Sequence, residues 1–290
     1  MKIAIVGVGS VGTLFAAHLI QTGRARVIAC VRSPIERVRV ETDGSAIDVP
    51  VESLHEPERA EPVDWVLLAT KTYDTQSTAP WLQRLCAPTT RVAVLQNGVD
   101  HEARVQPLAG PAVVVPAIVH ANSEYLSRGH VRQRRPGTDL AVPNNSHGQC
   151  FANLFAGSGV RVSLEDDFTT AAWCKLLLNA AANPLTALTQ RKLDVLREPE
   201  TGRLALQILE EAAEVGRAEG ARLDSNVAAE ILDRLAQYPP GTGTSMLQDR
   251  LAGRPLEFEA LTGVIVRKAN QHGIPAPVNT RILELLRALL

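Results

Sequence analysis

The stretch WCKLLLNAAANPLTA, residues 173–187, places one lysine and two asparagines in an otherwise apolar run. Lys175, Asn179 and Asn183 recur at i, i+4 and i+8, so on a helix they form one polar stripe about 12 Å long. A lysine whose pKa is lowered by burial can donate a proton near neutral pH. The stripe therefore indicates acid catalysis. Taken singly, the lysine could snorkel at a helix edge, the asparagines could bond backbone groups, and Asn183 could end the helix before Pro184.

Lysine is rare in this chain, which adds weight to the one at position 175. It occupies five positions, whereas 25 residues are arginine. Arginine does not deprotonate in proteins but a buried lysine can, so proton transfer is one reason to retain a lysine there.

A glycine-rich motif, GVGSVG, lies near the N-terminus between a short apolar stretch and an apolar helical segment. In such a strand-turn-helix unit the three glycines permit a tight turn, the close approach of a pyrophosphate and helix-on-sheet packing. The N-terminus of the helix favours an anion. The motif predicts dinucleotide binding rather than a ligand-free turn. The predicted cofactor-binding residues here are Gly7, Val8, Gly9, Ser10, Val11 and Gly12.

Three further candidates follow predicted strands. Arg32 follows the second strand, where a cation accommodates the 2′-phosphate of NADP and an acidic residue would hold the ribose of NAD. Lys71 follows VDWVLLAT and Asn97 follows RVAVLQ. Ligands of open α/β sheets bind beyond the carboxyl ends of the strands, so both should face one crevice. We therefore expect NADP(H), although Arg32 could be a surface arginine, Lys71 a solvated lysine and Asn97 a turn residue.

The apolar pattern of the first half predicts the elements that position these groups. Strands are predicted at residues 2–6, 26–31, 63–69 and 91–95, with helical or loop segments between them and a first helix at 13–22. Residues 113–119, with weaker alternation near 131 and 140–142, would complete the sheet. Strands spaced in this way predict a parallel, doubly wound sheet of the Rossmann type.

From residue 168 onward the apolar spacing is that of helices. They are predicted at residues 173–182, 202–219, 227–237, 245–251, 256–271 and 280–289. Proline and glycine mark loops at 183–184, 239–243 and 275–277. We therefore predict an α/β chain with a Rossmann-like NADP-binding domain over residues 1–167. An all-helical substrate-binding and catalytic domain would follow over residues 168–290.

Bulk composition limits the class of partner. The 290 residues are 45% hydrophobic and 21% charged, which is typical of a globular protein of two domains. A net charge of -1 and 4% aromatic residues argue against a nucleic-acid surface. The four cysteines lack metal-ligand spacing, and no apolar run indicates a membrane span or a signal sequence. The sequence predicts a cytoplasmic protein acting on a small molecule, without metal, nucleic acid or membrane. A homodimer is one assembly that it allows.

Two residues of the C-terminal half, Ser245 and Glu257, could have either a structural role or a role in an active site. Ser245 and Gln248 have the spacing of a capping box, which would make the serine structural. Glu257 could be a solvated glutamate in the first turn of a helix. Composition and spacing do not choose between these structural roles and a place in the active site.

Four segments resemble the ketopantoate reductase (2-dehydropantoate 2-reductase) family and together span essentially the whole chain. They are GVGSVG, LQNG at 95–98, WCKLLLNAAANPLTAL at 173–188 and TSMLQDRLAGRPLEFEALTG at 244–263. The resemblance implies reduction of the 2-oxo acid 2-dehydropantoate by NADPH to (R)-pantoate, a precursor of coenzyme A. It implies that Lys175 donates the proton, that Glu257 orients this lysine and bonds the substrate, and that Ser245 holds the carboxylate. The other residues it implies are Asn97, Asn179 and Asn183 in the polar pocket, Lys71 near the cofactor and Arg32 on the 2′-phosphate.

Two departures from the family pattern bear on the substrate. Thr242 stands where an asparagine that contacts substrate is expected, and Gln190 and Arg191 follow NPLTALT where small residues are usual. A related 2-oxo-acid or opine-type dehydrogenase is therefore an alternative. A protein that only senses NADP(H) is another, although cofactor binding alone requires neither Lys175 nor Glu257.

Overall fold

The computed structural model describes residues 1–134 and 137–289, which divide into two compact units. The first comprises Met1–Gln96 and His101–Phe168, and the second comprises Asn97–Asp100 and Thr169–Leu290. The short segment Asn97–Asp100 thus groups with the second unit although the neighbouring sequence belongs to the first. The domain assignment 1–167 and 168–290 is retained as a proposal.

Within its described residues, the first unit contains thirteen strands and four helices. Its strands are β1 (Lys2–Val6), β2 (Arg26–Cys30), β3 (Arg37–Thr42), β4 (Ser45–Pro50), β5 (Glu52–Leu54), β6 (Trp65–Leu68), β7 (Arg91–Val94), β8 (Val113–Pro116), β9 (Ile118–Val119), β10 (Asn122–Ser127), β11 (His130–Arg134), β12 (Leu140–Pro143) and β13 (Val162–Glu165). Its helices are α1 (Ser10–Gln21), α2 (Ala79–Leu85), α3 (His101–Ala109) and α4 (Ser146–Leu154). Short 3-10 turns lie at Pro57–Arg59, Thr72–Asp74 and Gln76–Thr78.

The main sheet has the order β5-β2-β1-β6-β7-β8, and every neighbouring pair is parallel. Both of its faces are covered, because Ile3 and Ile5 belong to one hydrophobic cluster whereas Ala4 and Val6 belong to another. Parallel strands that are buried on both faces have continuous apolar sequences, and the fully buried strand β6 is an example. The prediction of a Rossmann-type parallel sheet is confirmed.

Of the three stretches predicted to complete this sheet, only the first part of 113–119 does so, as β8, and the prediction is wrong for the other two. The strand near residue 131, β11, lies in a four-stranded sheet of order β10-β11-β3-β4, and β12 lies in a three-stranded sheet of order β13-β12-β9. The predicted strand 113–119 breaks at Ala117 into β8, which is parallel to β7, and β9, which is antiparallel to β12. Alternation identifies a strand, but long-range pairing decides which sheet it joins.

The region between β2 and β6, predicted as helix or loop, contains β3, β4 and β5 instead. Val38 and Val40 of β3 are buried and alternate with exposed arginines. Asp43 and Gly44 form the turn into β4, and Gly44 adopts a left-handed φ of 93°. An Asp-Gly pair between alternating segments is a typical hairpin signal, so the information for this hairpin was present in the sequence.

Helix α1 is buried because it packs on β2 of the main sheet and also on β3, β4, β10 and β11 of the four-stranded sheet. Residues 12–19 of this helix are all buried. Its one buried imidazole, His18, has Nδ1 2.9 Å from the Ser158 carbonyl oxygen and Nε2 3.1 Å from Oε1 of Gln133. Packing from two sheets holds the N-terminus of α1 at the end of β1.

The second unit is built from helices, as predicted. They are α5 (Phe168–Thr189), α6 (Pro199–Ala218), α7 (Val227–Ala236), α8 (Ser245–Leu251), α9 (Thr262–His272) and α10 (Pro277–Arg287), with 3-10 turns at Leu193–Arg197 and Phe258–Ala260. The predicted helix 256–271 is split, because the backbone leaves helical geometry at Leu261 before α9 begins. Across the described residues, no helix combines the length and the apolar character that a bilayer crossing requires.

Helix α5 continues through Pro184, so the predicted loop at 183–184 is wrong. A proline inside a helix removes one backbone hydrogen bond and costs about 3 kcal/mol. Burial outweighs this cost, since Trp173, Leu177 and Leu185 of the same helix lie in the core of the second unit and each buried large side chain contributes roughly 2 kcal/mol. Lys175, Asn179 and Asn183 therefore do lie along one uninterrupted helix.

The N-terminus of α10 is capped by a glutamate from another helix. Oε1 of Glu211 on α6 accepts from the backbone N–H of Val278 at 2.9 Å. Its Oε2 accepts from the backbone N–H and from Nδ2 of Asn279, at 2.9 and 2.8 Å. The first N–H groups of a helix have no partner within it, so this carboxylate satisfies them and complements the helix dipole.

Replacing Glu211 with alanine is expected to lower the free energy of unfolding by about 1–3 kcal/mol, because charge-assisted hydrogen bonds are lost. Urea denaturation followed by circular dichroism measures the change. Glu214→Ala is the matched control, since Glu214 is an exposed residue of the same helix. Equal losses in the two variants would contradict a capping role for Glu211.

Candidate active site

The three glycines of the N-terminal motif differ in the space around them. A Cβ on Gly7 would lie 2.7 Å from the backbone nitrogen of Thr70, and Gly7 has a left-handed φ of 93°. A Cβ on Gly12 would lie 2.0 Å from the carbonyl oxygen of Gly7. A Cβ on Gly9 would have no heavy atom within 4 Å. Gly7 and Gly12 are thus required by the packing of the loop, whereas Gly9 leaves open space beside the start of α1.

That open space suits an anionic group. Gly9 is the N-cap of α1 and has no side chain to occupy the first N–H groups of the helix. These groups and the helix dipole favour a phosphate. The Ser10 hydroxyl is 2.7 Å from the carbonyl oxygen of Ser123, which ties the loop to β10, while Val8 and Val11 pack against the hydrophobic core. The residues present therefore fit the pyrophosphate of a dinucleotide.

Two cations lie beyond the ends of the strands that flank β1. Arg32 lies two residues after β2, and its Nη2 is 2.8 Å from Oδ1 of Asp74. Lys71 follows β6 and immediately precedes the turn Thr72–Asp74. Arg32 and Lys71 were predicted from the sequence, whereas Asp74 was not. Nothing in the local pattern indicates an ion pair between two loops that the sheet brings together.

In the second unit the structure brings Asn97 and Glu257 together. Nδ2 of Asn97 donates to Oε2 of Glu257 at 3.3 Å. The Glu257 side chain is buried, with 7% of its surface exposed, so the alternative of a solvated glutamate is wrong. A buried carboxylate needs hydrogen-bond donors, and the amide of Asn97 supplies one.

Ser245 lies against Asn183, and the predicted capping box is wrong. The N-cap of α8 is Thr244, whose hydroxyl accepts from the N–H of Leu247 at 3.1 Å, so Ser245 is the first helical residue. Oγ of Ser245 is 3.5 Å from Oδ1 of Asn183, which also accepts from the N–H of Met246 at 3.2 Å. The hydroxyl of Ser245 therefore faces the polar stripe of α5 instead of capping its own helix.

A threonine pair holds these two helices in register. Oγ1 of Thr186 on α5 donates to the carbonyl oxygen of Ala182 at 2.7 Å and lies 2.7 Å from Oγ1 of Thr244. The hydrogen bond between the two hydroxyls joins α5 to the N-cap of α8. Thr242, the position that departs from the family pattern, donates its hydroxyl to the carbonyl oxygen of Pro239 at 2.6 Å. The Thr242 hydroxyl is therefore hydrogen-bonded within its own turn.

Lys175 is partly buried on α5, and its pKa is lowered. Burial is the main cause, since it removes water from the charged ammonium, and the positive charge of Arg234 on α7 adds to the effect. Among the residues that the structure describes, no hydrogen bond joins Lys175 or Asn179 to another predicted site residue. Arg234 was not predicted from the sequence, because it lies on a separate helix and belongs to no motif.

The parallel sheet of the first unit, the helices of the second and the family that the chain matches are those of an NAD(P)-dependent oxidoreductase with a Rossmann-type fold. Residues 3–144 match the family described as ketopantoate reductase PanE/ApbA, and residues 167–290 match its C-terminal domain. The chain belongs to the ketopantoate reductase family, as the four sequence segments indicated.

Individual relatives cover essentially the whole chain. A 2-dehydropantoate 2-reductase of Mycobacterium tuberculosis is 41% identical over 288 residues, which are 99% of this chain and 97% of the relative. The crystal structure of a family member from Ralstonia eutropha JMP134 is 34% identical with a TM-score of 0.90 and covers 100% of this chain and 98% of that one. A dimeric ketopantoate reductase from Staphylococcus aureus is 28% identical with a TM-score of 0.88, over 100% and 98% of the two chains.

The different surroundings of Gly9 and Gly12 predict opposite consequences of adding a methyl group. Gly9→Ala is expected to leave the unfolding free energy within about 0.5 kcal/mol of the parent value but to weaken NADPH binding at least about tenfold, as a clash of about 1.4 kcal/mol with the pyrophosphate would. Gly12→Ala is expected to destabilise the fold by about 1–3 kcal/mol, because its Cβ meets a backbone oxygen.

Thermal unfolding without ligand and fluorescence titration with NADPH measure the two quantities. Each variant is the control for the other. Tight NADPH binding by a stable Gly9→Ala protein would contradict a pyrophosphate site at this loop.

Proposed function

We propose that the protein catalyses the NADPH-dependent reduction of 2-dehydropantoate to (R)-pantoate. The observation that carries the proposal is the stripe on α5, where a lysine of lowered pKa shares one helix face with Asn179 and Asn183. The contact of Asn183 with Ser245 and the buried pair of Asn97 and Glu257 add polar groups in the same unit. The relative from Mycobacterium tuberculosis, which carries the name of this reaction, supports the substrate.

The first unit would hold the cofactor. The pyrophosphate would occupy the space beside Gly9 and bond the first N–H groups of α1, while Lys71 adds positive charge nearby. Arg32 beyond β2 suits the 2′-phosphate that distinguishes NADP(H) from NAD(H). When bound, the reduced nicotinamide supplies the hydride for the reaction.

Lys175 would be the proton donor. When the ketone carbon gains a hydride, its oxygen becomes an alkoxide that needs one proton to give the alcohol. The ammonium of Lys175 can transfer that proton, leaving a neutral amine, and burial makes this transfer easier because the charged form is poorly hydrated. The lysine then regains a proton from solvent before the next turnover.

The remaining polar groups would orient the substrate. Ser245 supplies a hydroxyl donor for the substrate carboxylate, and the amide of Asn179 can donate to it from the same stripe. Glu257 accepts hydrogen bonds only, so it suits a substrate hydroxyl and repels the substrate carboxylate. Asn97 holds the Glu257 side chain in place by its hydrogen bond at 3.3 Å.

Assembly and location are part of the same proposal. We expect a homodimer, because the Staphylococcus aureus enzyme of this fold is dimeric. We expect the protein to act in the cytoplasm, where NADPH is available to a biosynthetic reductase.

Lys175→Ala is expected to lower kcat by about 10²- to 10⁴-fold while NADPH binding is unchanged, since general acid catalysis contributes about that factor. Lys175→Arg should recover little of the loss, because a guanidinium does not release its proton. Lys192→Ala, which removes an exposed lysine of the same unit, is the control and should retain the parent rate.

The pH dependence of kcat tests the same role. The protonated lysine is the active form, so kcat should fall as the pH rises through the pKa of Lys175. Because that pKa is lowered from 10.5, the fall should begin below pH 10.5. A normal rate in Lys175→Ala, or the same alkaline fall in that variant, would contradict the mechanism.

The number of polar groups in the second unit predicts strong selection for a hydroxylated substrate. We expect kcat/KM to favour 2-dehydropantoate over 2-oxoisovalerate, which lacks the hydroxyl, by at least about 10²-fold, since a site built to bond a hydroxyl leaves unpaired groups with the analogue. Spectrophotometric assays of NADPH oxidation measure both values. Equal efficiency with the two compounds would instead favour a general 2-oxo-acid dehydrogenase. Glu257→Gln should reduce the selectivity, because the hydroxyl then loses a charged acceptor.

A further inference from the structure

The ion pair between Arg32 and Asp74 crosses the end of the central strand of the main sheet. Arg32 follows β2 and Asp74 follows β6, and these strands flank β1 on its two sides. Strands two positions apart in a sheet are separated by about 10 Å, so the long arginine side chain spans the distance. The glycine loop that suits a dinucleotide begins at the end of β1, the strand that lies between β2 and β6.

We propose that Asp74 limits the preference of this protein for NADPH over NADH by competing with the 2′-phosphate for Arg32. The proposal rests on the proposed use of NADPH. A guanidinium held by one carboxylate must exchange that partner, or share its donors, when a phosphate arrives. The carboxylate also repels the phosphate dianion at short range. NADH has a neutral 2′-hydroxyl, so neither effect applies to it.

The exposure of the pair sets the size of the effect. The side chain of Arg32 is 77% exposed and that of Asp74 is 32% exposed, so water and salt screen their attraction. An exposed ion pair of this kind changes an equilibrium by up to about fivefold, and relief of the repulsion adds to it. Asp74 therefore tunes the affinity for the 2′-phosphate by about three- to tenfold and does not abolish it.

The test measures ligand binding to the full-length protein without turnover. Calorimetric titration would compare adenosine 2′,5′-bisphosphate with adenosine 5′-phosphate for the parent, Asp74→Asn, Arg32→Ala and the double variant. Asp74→Asn is expected to tighten binding of the bisphosphate by about three- to tenfold and to leave the monophosphate unchanged, with less effect in 0.5 M salt. In the double variant the effect of Asp74→Asn should fall to the smaller part that relief of the direct repulsion supplies, because no guanidinium remains for the carboxylate to hold.

A matched control separates this local effect from a general change of charge. Asp48→Asn also removes a carboxylate that pairs with an arginine of the same unit, Arg37 on β3, and should leave both affinities unchanged. Thermal unfolding of each variant confirms that the fold is retained.

Other outcomes identify which proposal fails. Suppose that Arg32→Ala weakens binding of the bisphosphate and not of the monophosphate. If Asp74→Asn then also weakens binding of the bisphosphate, Asp74 orients Arg32, and if it has no effect, Asp74 is inert. Either result overturns the proposed competition and leaves the use of NADPH intact. If Arg32→Ala changes neither affinity, the assignment of Arg32 to the 2′-phosphate and the role of Asp74 both fail.

Discussion

Burial of helix α5 is the constraint around which the second unit is arranged. The helix lies in the hydrophobic core, yet it carries polar side chains that lose their water when the unit folds. Asn183, of which only 3% is exposed, meets this requirement by accepting the N–H of Met246. The hydrogen bond between Thr186 and Thr244 does the same one turn farther along. Satisfying buried polar groups therefore fixes α8 against α5 and brings Ser245 to the stripe.

Charge is used in different ways in the two units. Lys175 is held where water is scarce, so its charged ammonium is costly, and the buried carboxylate of Glu257 depends on the hydrogen bond that Asn97 donates. The side chain of Arg32 is largely exposed and that of Asp74 is partly exposed, so the energy of their ion pair is small and partners exchange readily. The first setting suits a proton donor that must change its charge in each turnover. The second setting suits a cofactor site, which must release the bound dinucleotide after each turnover.

Short-range features of the sequence were sufficient for the parts of the fold that local geometry decides. The glycine motif between a strand and a helix predicted α1 and its approach to β1, because Gly7 and Gly12 leave no room for a Cβ where the backbone passes closely. The i, i+4, i+8 spacing predicted one helix face for Lys175, Asn179 and Asn183. Even the missed hairpin of β3 and β4 had its Asp43-Gly44 signal.

Features that depend on distant residues were not predictable in this way. Pro184 argued for a helix end, and only the core contacts of its neighbours overrule it. The N-cap of α8 is Thr244 and not Ser245, a shift of one residue that matters because it frees the hydroxyl next to Asn183. Asp74 meets Arg32 only because the sheet order places β2 and β6 on either side of β1.

Helix α5 has a consequence for how this protein can diverge in evolution. The same 22 residues supply much of the core of the second unit and the groups proposed for catalysis, so a substitution here alters stability and reactivity together. Such positions accept change slowly, because most substitutions are destabilising. The side chain of Thr242 does not combine these two roles, since its hydroxyl forms a hydrogen bond only within its own turn. New substrate preferences in descendants of this chain should therefore accumulate in the turn before α8, while α5 stays nearly constant.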